Sequence, residues 1–215
     1  MGIYEFAGCV VSYEPLYGLL RRRMETYRSD TEGQPDITLD GTKEDYEKLR
    51  KQYPHLSIEE CEYSCAGVEF YMKLLKHQGF MIHASAVEKE GKAYLFSAPS
   101  GTGKSTHAQL WRQTFKGEPI RIINDDKPAV CLQNGVFYAC GTPFSGKTDK
   151  NENRKAPIQG LCMLHRGKTN KIQKITSGEA LPLILPQTLF YGDEEETNLL
   201  LSFLDRFLQS VPVYK

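Results

Sequence analysis

The stretch YLFSAPSGTGKSTHAQLW, residues 94–111, constrains this chain more than any other. An apolar run from Tyr94 to Phe96 leads into small residues and two glycines. A Lys-Ser pair then opens a helical pattern from about 103 to 115. Small residues let backbone N–H groups converge on phosphate oxygens, and the helix turns its partial positive end to the same point. Ser100, Gly101, Thr102, Gly103, Lys104, Ser105 and Thr106 are therefore the candidate residues for binding a triphosphate such as ATP. In such a loop Lys104 bridges the β- and γ-phosphates and the Ser105 hydroxyl ligates Mg²⁺. The loop implies a gripped triphosphate and leaves its use open.

A metal-bound phosphate needs carboxylates nearby. Asn124-Asp125-Asp126 follows the apolar run IRII, about 20 residues after Lys104. Two adjacent carboxylates permit a division of labour, one on the metal and one taking a proton from an attacking hydroxyl. Which of Asp125 and Asp126 is the base stays open. His83 lies 21 residues before Lys104, between Ile82 and Ala84.

Charge excludes some partners. Lys plus Arg and Asp plus Glu number 27 each, so no overall field attracts a polyanion. The only dense basic run, Arg21-Arg22-Arg23, is followed by Glu25 and Asp30 and reads as a solvated helix face. No stretch reaches the roughly 18 apolar residues of a membrane span. Six cysteines without a CxxC pair read as buried reduced thiols, with Cys61 and Cys65 on one helix face. Neither nucleic acid nor membrane is expected as a partner, a homo-oligomer is left open, and the expected location is the cytoplasm.

The pattern along the chain predicts one opening strand over 3–13 and a short strand and helix within the polar segment 28–62, the helix around 42–51. Ser64 is expected to cap a helix that buries Val68, Tyr71, Leu74 and Leu75 and stops at Gly79. Two strands flank the turn at Glu90-Gly91, and Asn134-Gly135 marks another hairpin. Residues 141–157 read as a long polar loop and GLCMLHRGKTNKIQKI as a further hairpin. A capped helix begins at SGEALPLILPQT, an amphipathic one at TNLLLSFLDRFLQSV, and VPVYK reads as the start of a strand. The expected organisation is an N-terminal appendage, residues 1–62, within the same compact unit as a nucleotide-binding core, residues 63–215. Hairpins outnumber what strict βαβ alternation would give, so the class is a β-rich α/β fold.

The set IHAS…FSAPSGTGKST…INDD resembles two related groups over about residues 80–165. These are the kinases that phosphorylate the phosphocarrier protein HPr on serine and the ATP-dependent phosphoenolpyruvate carboxykinases. The resemblance implies an HPr kinase/PEP carboxykinase-like P-loop fold, a mixed sheet with flanking helices that differs from ordinary P-loop NTPases. It also implies Gly101, Gly103, Lys104 and Ser105 on phosphates and metal, with His83 at the phosphate site. Asp125 and Asp126 would serve metal and catalytic base. The chain looks closer to the small HPr kinase-like proteins often associated with peptide-modification clusters in bacteria than to HPr kinase itself. In those small proteins GTPFSGKTDKNENRKAP would be a second active-site loop, with Lys147 and Arg154 offsetting charge on the transferring phosphoryl group.

The expected activity is thus an ATP- and Mg²⁺-dependent phosphotransferase acting on a hydroxyl of a peptide, protein or small molecule. The alternatives are a nucleotide-binding regulatory module without turnover and a carboxykinase-like enzyme. No N-K-x-D guanine motif occurs, which removes the G-protein reading.

Overall fold

The chain opens with a hairpin where the sequence pattern suggested one strand. Strands β1 (Gly2–Phe6) and β2 (Cys9–Tyr13) pair antiparallel from Gly2↔Tyr13 to Phe6↔Cys9. The turn between them places both Ala7 and Gly8 at positive φ, 54° and 78°. Those signs are what a two-residue hairpin turn needs. The computed structural model describes every residue except 116, 118, 190 and 191.

Helix α1 (Gly18–Met24) follows, then the two-residue strand β3 (Ile37–Thr38), which lies parallel to β2. Helix α2 (Lys43–Gln52) is held by a reciprocal capping box between Thr42 and Asp45, close to its expected limits. Helix α3 (Ile58–Leu74) starts earlier than expected. Its cap is Ser57 with Glu60, and Ser64 lies inside the helix. The box Ser-x-x-Glu supplies two N-terminal hydrogen bonds, which a lone Ser64 would not. Tyr71, Leu74 and Leu75 are buried as anticipated, but Val68 is exposed. The helix runs without a break across residues 62 and 63.

Strands β4 (Gly79–Met81), β5 (Ala84–Lys89) and β6 (Lys92–Ser97) come next, followed by α4 (Lys104–Thr114). Then come β7 (Arg121–Asn124), β8 (Ala129–Gln133), β9 (Val136–Cys140) and the long β10 (Lys155–Met163). The last elements are β11 (Lys174–Ile175), α5 (Ser177–Ile184), α6 (Glu194–Ser210) and β12 (Val213–Tyr214). The polar loop therefore ends at 154. The hairpin expected over 160–175 does not form: β10 pairs with β6, β9 and β12, and β11 pairs only with β12. VPVYK does become a strand, parallel to β10 at Leu161↔Val213.

These strands build a mixed sheet in the order β4-β8-β9-β10-β6-β5-β7, with β11 and β12 off β10. Strand β6 is parallel to β10 and antiparallel to β5, and β5 is antiparallel to β7. The C-terminal ends of β6, β7 and β10 therefore meet at one edge, where the N-terminal end of β5 also lies. Side-chain alternation gives each face its own helices. Ala84, Ala86, Ala93 and Leu95 face a core shared with Ala180, Ile184, Phe203, Leu204 and Phe207 of α5 and α6. Val87 and Phe96 face Ala108 and Trp111 of α4. A further core joins Phe6, Val11, Leu20 and Phe70 of the N-terminal elements to Met81, Ala129, Cys131 and Cys140 of the large sheet. No helix among the described residues is long and apolar enough to cross a membrane.

Candidate active site

The edge where β6, β7 and β10 end collects the polar residues that the sequence singled out. Leaving β6, the chain turns through Ala98-Pro99-Ser100-Gly101-Thr102-Gly103 into α4. Gly101 and Gly103 have φ of 76° and 115°, a left-handed backbone that side chains resist. Gly103 is the N-cap of α4, so Lys104, Ser105 and Thr106 form its first turn, where backbone N–H groups lack helical partners. Lys104 is buried and donates from Nζ to the carbonyl of Ala98 at 2.9 Å. Burial lowers its pKa, and the carboxylates of Asp126 and Asp125 act against that shift. Both carboxylates therefore lie within electrostatic reach of the loop lysine.

Strand β7 delivers the carboxylates through a turn made by Asn124. Its Oδ1 accepts from the backbone N–H of Asp126 (3.0 Å) and of Lys127 (2.8 Å). Its amide donates to Thr142. An Asn side chain closing a turn two residues on is a standard reason for that residue to precede a turn. Asp125 then points inward and is almost sealed from solvent. Its Oδ1 accepts from Ser85 Oγ at 2.8 Å and its Oδ2 from Thr148 Oγ1 at 2.9 Å.

Asp126 points toward solvent. Its Oδ1 lies 3.3 Å from His83 Nε2 and its Oδ2 lies 2.9 Å from Lys127 Nζ. Burial would raise its pKa, but the His83 hydrogen bond and the Lys127 charge together hold it well below the usual carboxylate range. His83 is fixed from its other side, with Nδ1 at 3.2 Å from Gln187 Oε1 and its backbone N–H donating to the Gln187 carbonyl at 2.7 Å.

The loop between β9 and β10 closes over the pair. Gly146 comes so near that a Cβ there would sit 2.8 Å from Asp126 Cγ and Oδ2. N-terminal residues hold this loop down. Arg23 donates to the Gly146 carbonyl at 2.6 Å, pairs with Asp149 at 3.1 Å and lies over the Tyr63 ring. The Tyr63 hydroxyl accepts from the Gly146 N–H, and Tyr27 donates to Asn151 at 2.5 Å.

His83, Lys104, Asp125, Asp126 and the loop 100–106 are thus brought to one place. Arg154, expected beside the transferring phosphate, is not. Its guanidinium pairs with Glu88 (Nε–Oε2 2.6 Å) and Glu152 (3.3 Å). Glu88 is buried toward the far end of β5, four residues from Ala84, or about 13 Å along a strand. A buried carboxylate there holds the nearest cation. Lys147 is exposed, and its charge acts on Glu60 of α3. Sequence pattern alone assigns no role to Ser85, Asn124, Lys127, Thr148, Arg166 or Gln187. Of these only Asn124 carries a local signal, an Asn directly before two carboxylates. Among the described residues no cluster of three or more His, Cys, Asp or Glu side chains is arranged to hold a metal ion unaided.

No family model matches the chain, and no curated protein does. Among solved structures it is similar to the HPr(Ser) kinase/phosphatase from Coxiella burnetii. The two share 14% identity at a TM-score of 0.33, over 59% of this chain and 93% of the other. At that level of similarity, the chemistry of this site has to be argued from its own side chains.

Proposed function

We propose that this protein is an ATP-dependent phosphotransferase of the HPr kinase-like kind, moving the γ-phosphoryl group to a hydroxyl acceptor on a peptide or protein. The observation that carries this reading is the meeting of Lys104, Asp125, Asp126 and His83 at the mouth of a glycine-rich loop.

Lys104 turns from the Ala98 carbonyl to the phosphates, where its charge stabilises the oxygens of the group in flight. Asp126 is the carboxylate with access to solvent, so it takes the hydrogen bond of the incoming hydroxyl. As the acceptor oxygen bonds to phosphorus and the β–γ bridge breaks, the hydroxyl proton passes to Asp126 and ADP leaves with the bond's electrons. Its neighbours keep Asp126 ionised at neutral pH, so its carboxylate is in the form that accepts a proton. His83, tied to Gln187, orients Asp126. Ser105, Asp125 and Asp126 carry oxygen donors of the kind Mg²⁺ takes and would be the residues to hold it. Bound there, Mg²⁺ would neutralise phosphate charge.

The test is calorimetric binding of ATP together with phosphoryl transfer to water and to serine-containing peptides. Lys104→Ala should abolish binding. Asp126→Asn should keep binding and slow transfer by about 10²-fold or more, the scale of a lost general base. Transfer that survives both Asp125→Asn and Asp126→Asn would overturn the assignment. Binding without any transfer would leave a regulatory module.

A further inference from the structure

Where a hairpin was expected past residue 160, the chain instead runs out as an open arm. Residues 165–174, HRGKTNKIQK, carry four cations, Arg166, Lys168, Lys171 and Lys174, and no aspartate or glutamate. The chain as a whole balances its charges, so this run is a local excess of one sign. All ten residues are exposed, and 165–173 belong to no strand or helix. The arm is fixed at its two ends. The Leu164 N–H donates to the Ser97 carbonyl at 2.8 Å, and Gln173 exchanges backbone hydrogen bonds with Lys215 at 2.9 and 2.8 Å.

Between these ties the side chains are mostly uncommitted. Arg166 donates to the Gly101 carbonyl at 2.6 Å. Lys168, Lys171 and Lys174 pair with no carboxylate among the described residues. Ile172, 74% exposed, joins no core. The other basic run, Arg21-Arg22-Arg23, is followed by Glu25, and Arg23 pairs with Asp149. The arm has neither kind of compensation, and its one aliphatic side chain stands inside a field of a single sign. Its position gives that field a use. The arm leaves the C-terminal end of β10, on the sheet edge where β7 delivers Asp126, with β6 and β5 between the two strands. At about 4.8 Å per strand, the root of the arm lies roughly 14 Å from the Asp pair, or about four residues of extended chain.

We propose that this arm docks an acidic segment of the acceptor polypeptide, lying at least about four residues from the hydroxyl that Asp126 receives. That the docked chain is an acceptor rests on the phosphotransferase reading, whereas docking itself is read by binding alone. Fluorescence anisotropy on the full chain compares two labelled probes. One is a peptide of about twelve residues with a serine and a glutamate run about five residues from it, and the other has glutamine for each glutamate. At about 0.05 M salt the glutamate peptide should bind about 10-fold more tightly, the scale of three exposed ion pairs, and the gap should close near about 0.5 M salt. Combining Lys168→Gln, Lys171→Gln and Lys174→Gln should remove the preference and leave the calorimetric affinity for ATP unchanged. In phosphoryl transfer the same variant should raise KM for the glutamate peptide about 10-fold at unchanged kcat. Equal binding of both peptides to the wild type, or a preference that survives in the triple variant, would overturn the dock. So would a single-stranded oligonucleotide of equal charge that binds more tightly than the glutamate peptide, or a variant that loses ATP affinity to the same extent. A preference that holds with no transfer to either peptide would overturn the phosphotransferase reading and leave the acidic-peptide site standing. The wild-type comparison needs no variant to fold.

Discussion

Asp125 accepts from two hydroxyls and is almost sealed from water, whereas Asp126, one residue on, reaches solvent between a histidine and a lysine. The pH dependence of stability should reflect that difference. The folded pKa of Asp126 lies below its unfolded value, so its ionised form favours the fold above about pH 4, and that contribution is lost as pH falls through the folded pKa. Urea unfolding of the wild type and Asp126→Asn should show their largest gap near about pH 7 and a narrower one near about pH 3. A gap that widens on acidification would contradict the ion-paired carboxylate. Gly146 supplies a second test at this scale. Its φ of 70° and its closeness to Asp126 leave no room for a methyl group. Gly146→Ala should cost about 1–3 kcal/mol in urea unfolding and slow transfer by displacing the Asp126 carboxylate. Neither Gly146 nor the neutral partners Ser85, Thr148 and Gln187 could be picked out by motif. They come from a strand, a loop and a short 3-10 helix far apart in sequence and carry no charge pattern.

Elements were legible where their signal is local. The strand-loop-helix of residues 94–111 and the turns at Glu90-Gly91 and Asn134-Gly135 depend on neighbours in sequence, and they form where their residues ask for them. Strand β10 depends on distant partners, and its expected hairpin did not form. Its apolar residues look the same whether they pair with the next segment of chain or, as here, with β6 some sixty residues earlier. Residues 141–157 read by composition only as a long polar loop. Its order comes from α1 and α3, through Arg23 and Tyr63. Arg23 is nearly buried and links the Gly146 carbonyl, Asp149 and the Tyr63 ring. Arg23→Ala should therefore destabilise by about 1–3 kcal/mol and speed amide hydrogen exchange across 144–151. Unchanged exchange there would show that the loop holds its shape unaided.

On the scale of the molecule, the N-terminal elements and the sheet edge that carries the Asp pair share a core. Phe144 belongs to the loop between β9 and β10, yet its ring lies 5.8 Å from Phe70, 5.7 Å from Tyr63 and 6.5 Å from Phe6. The same cluster takes in Met81, Ala129 and Cys140 from the large sheet. An appendage with its own separate core could melt alone, whereas a shared core couples its loss to the loss of the site. The single tryptophan, Trp111, gives a way to distinguish these outcomes. It sits on α4 behind the phosphate loop, packed on Tyr94 and Phe96 and outside the Phe144 cluster. Truncating a buried phenylalanine costs about 3–5 kcal/mol. In Phe144→Ala, a transition followed by Trp111 fluorescence should shift to lower urea by as much as one followed by far-UV circular dichroism, because cooperative unfolding gives coincident curves. If the Trp111 curve stayed where it is in the wild type while the dichroism curve acquired an early step, the N-terminal elements would be a separately folding unit, and their hold on the β9–β10 loop would not extend to the glycine-rich loop before α4.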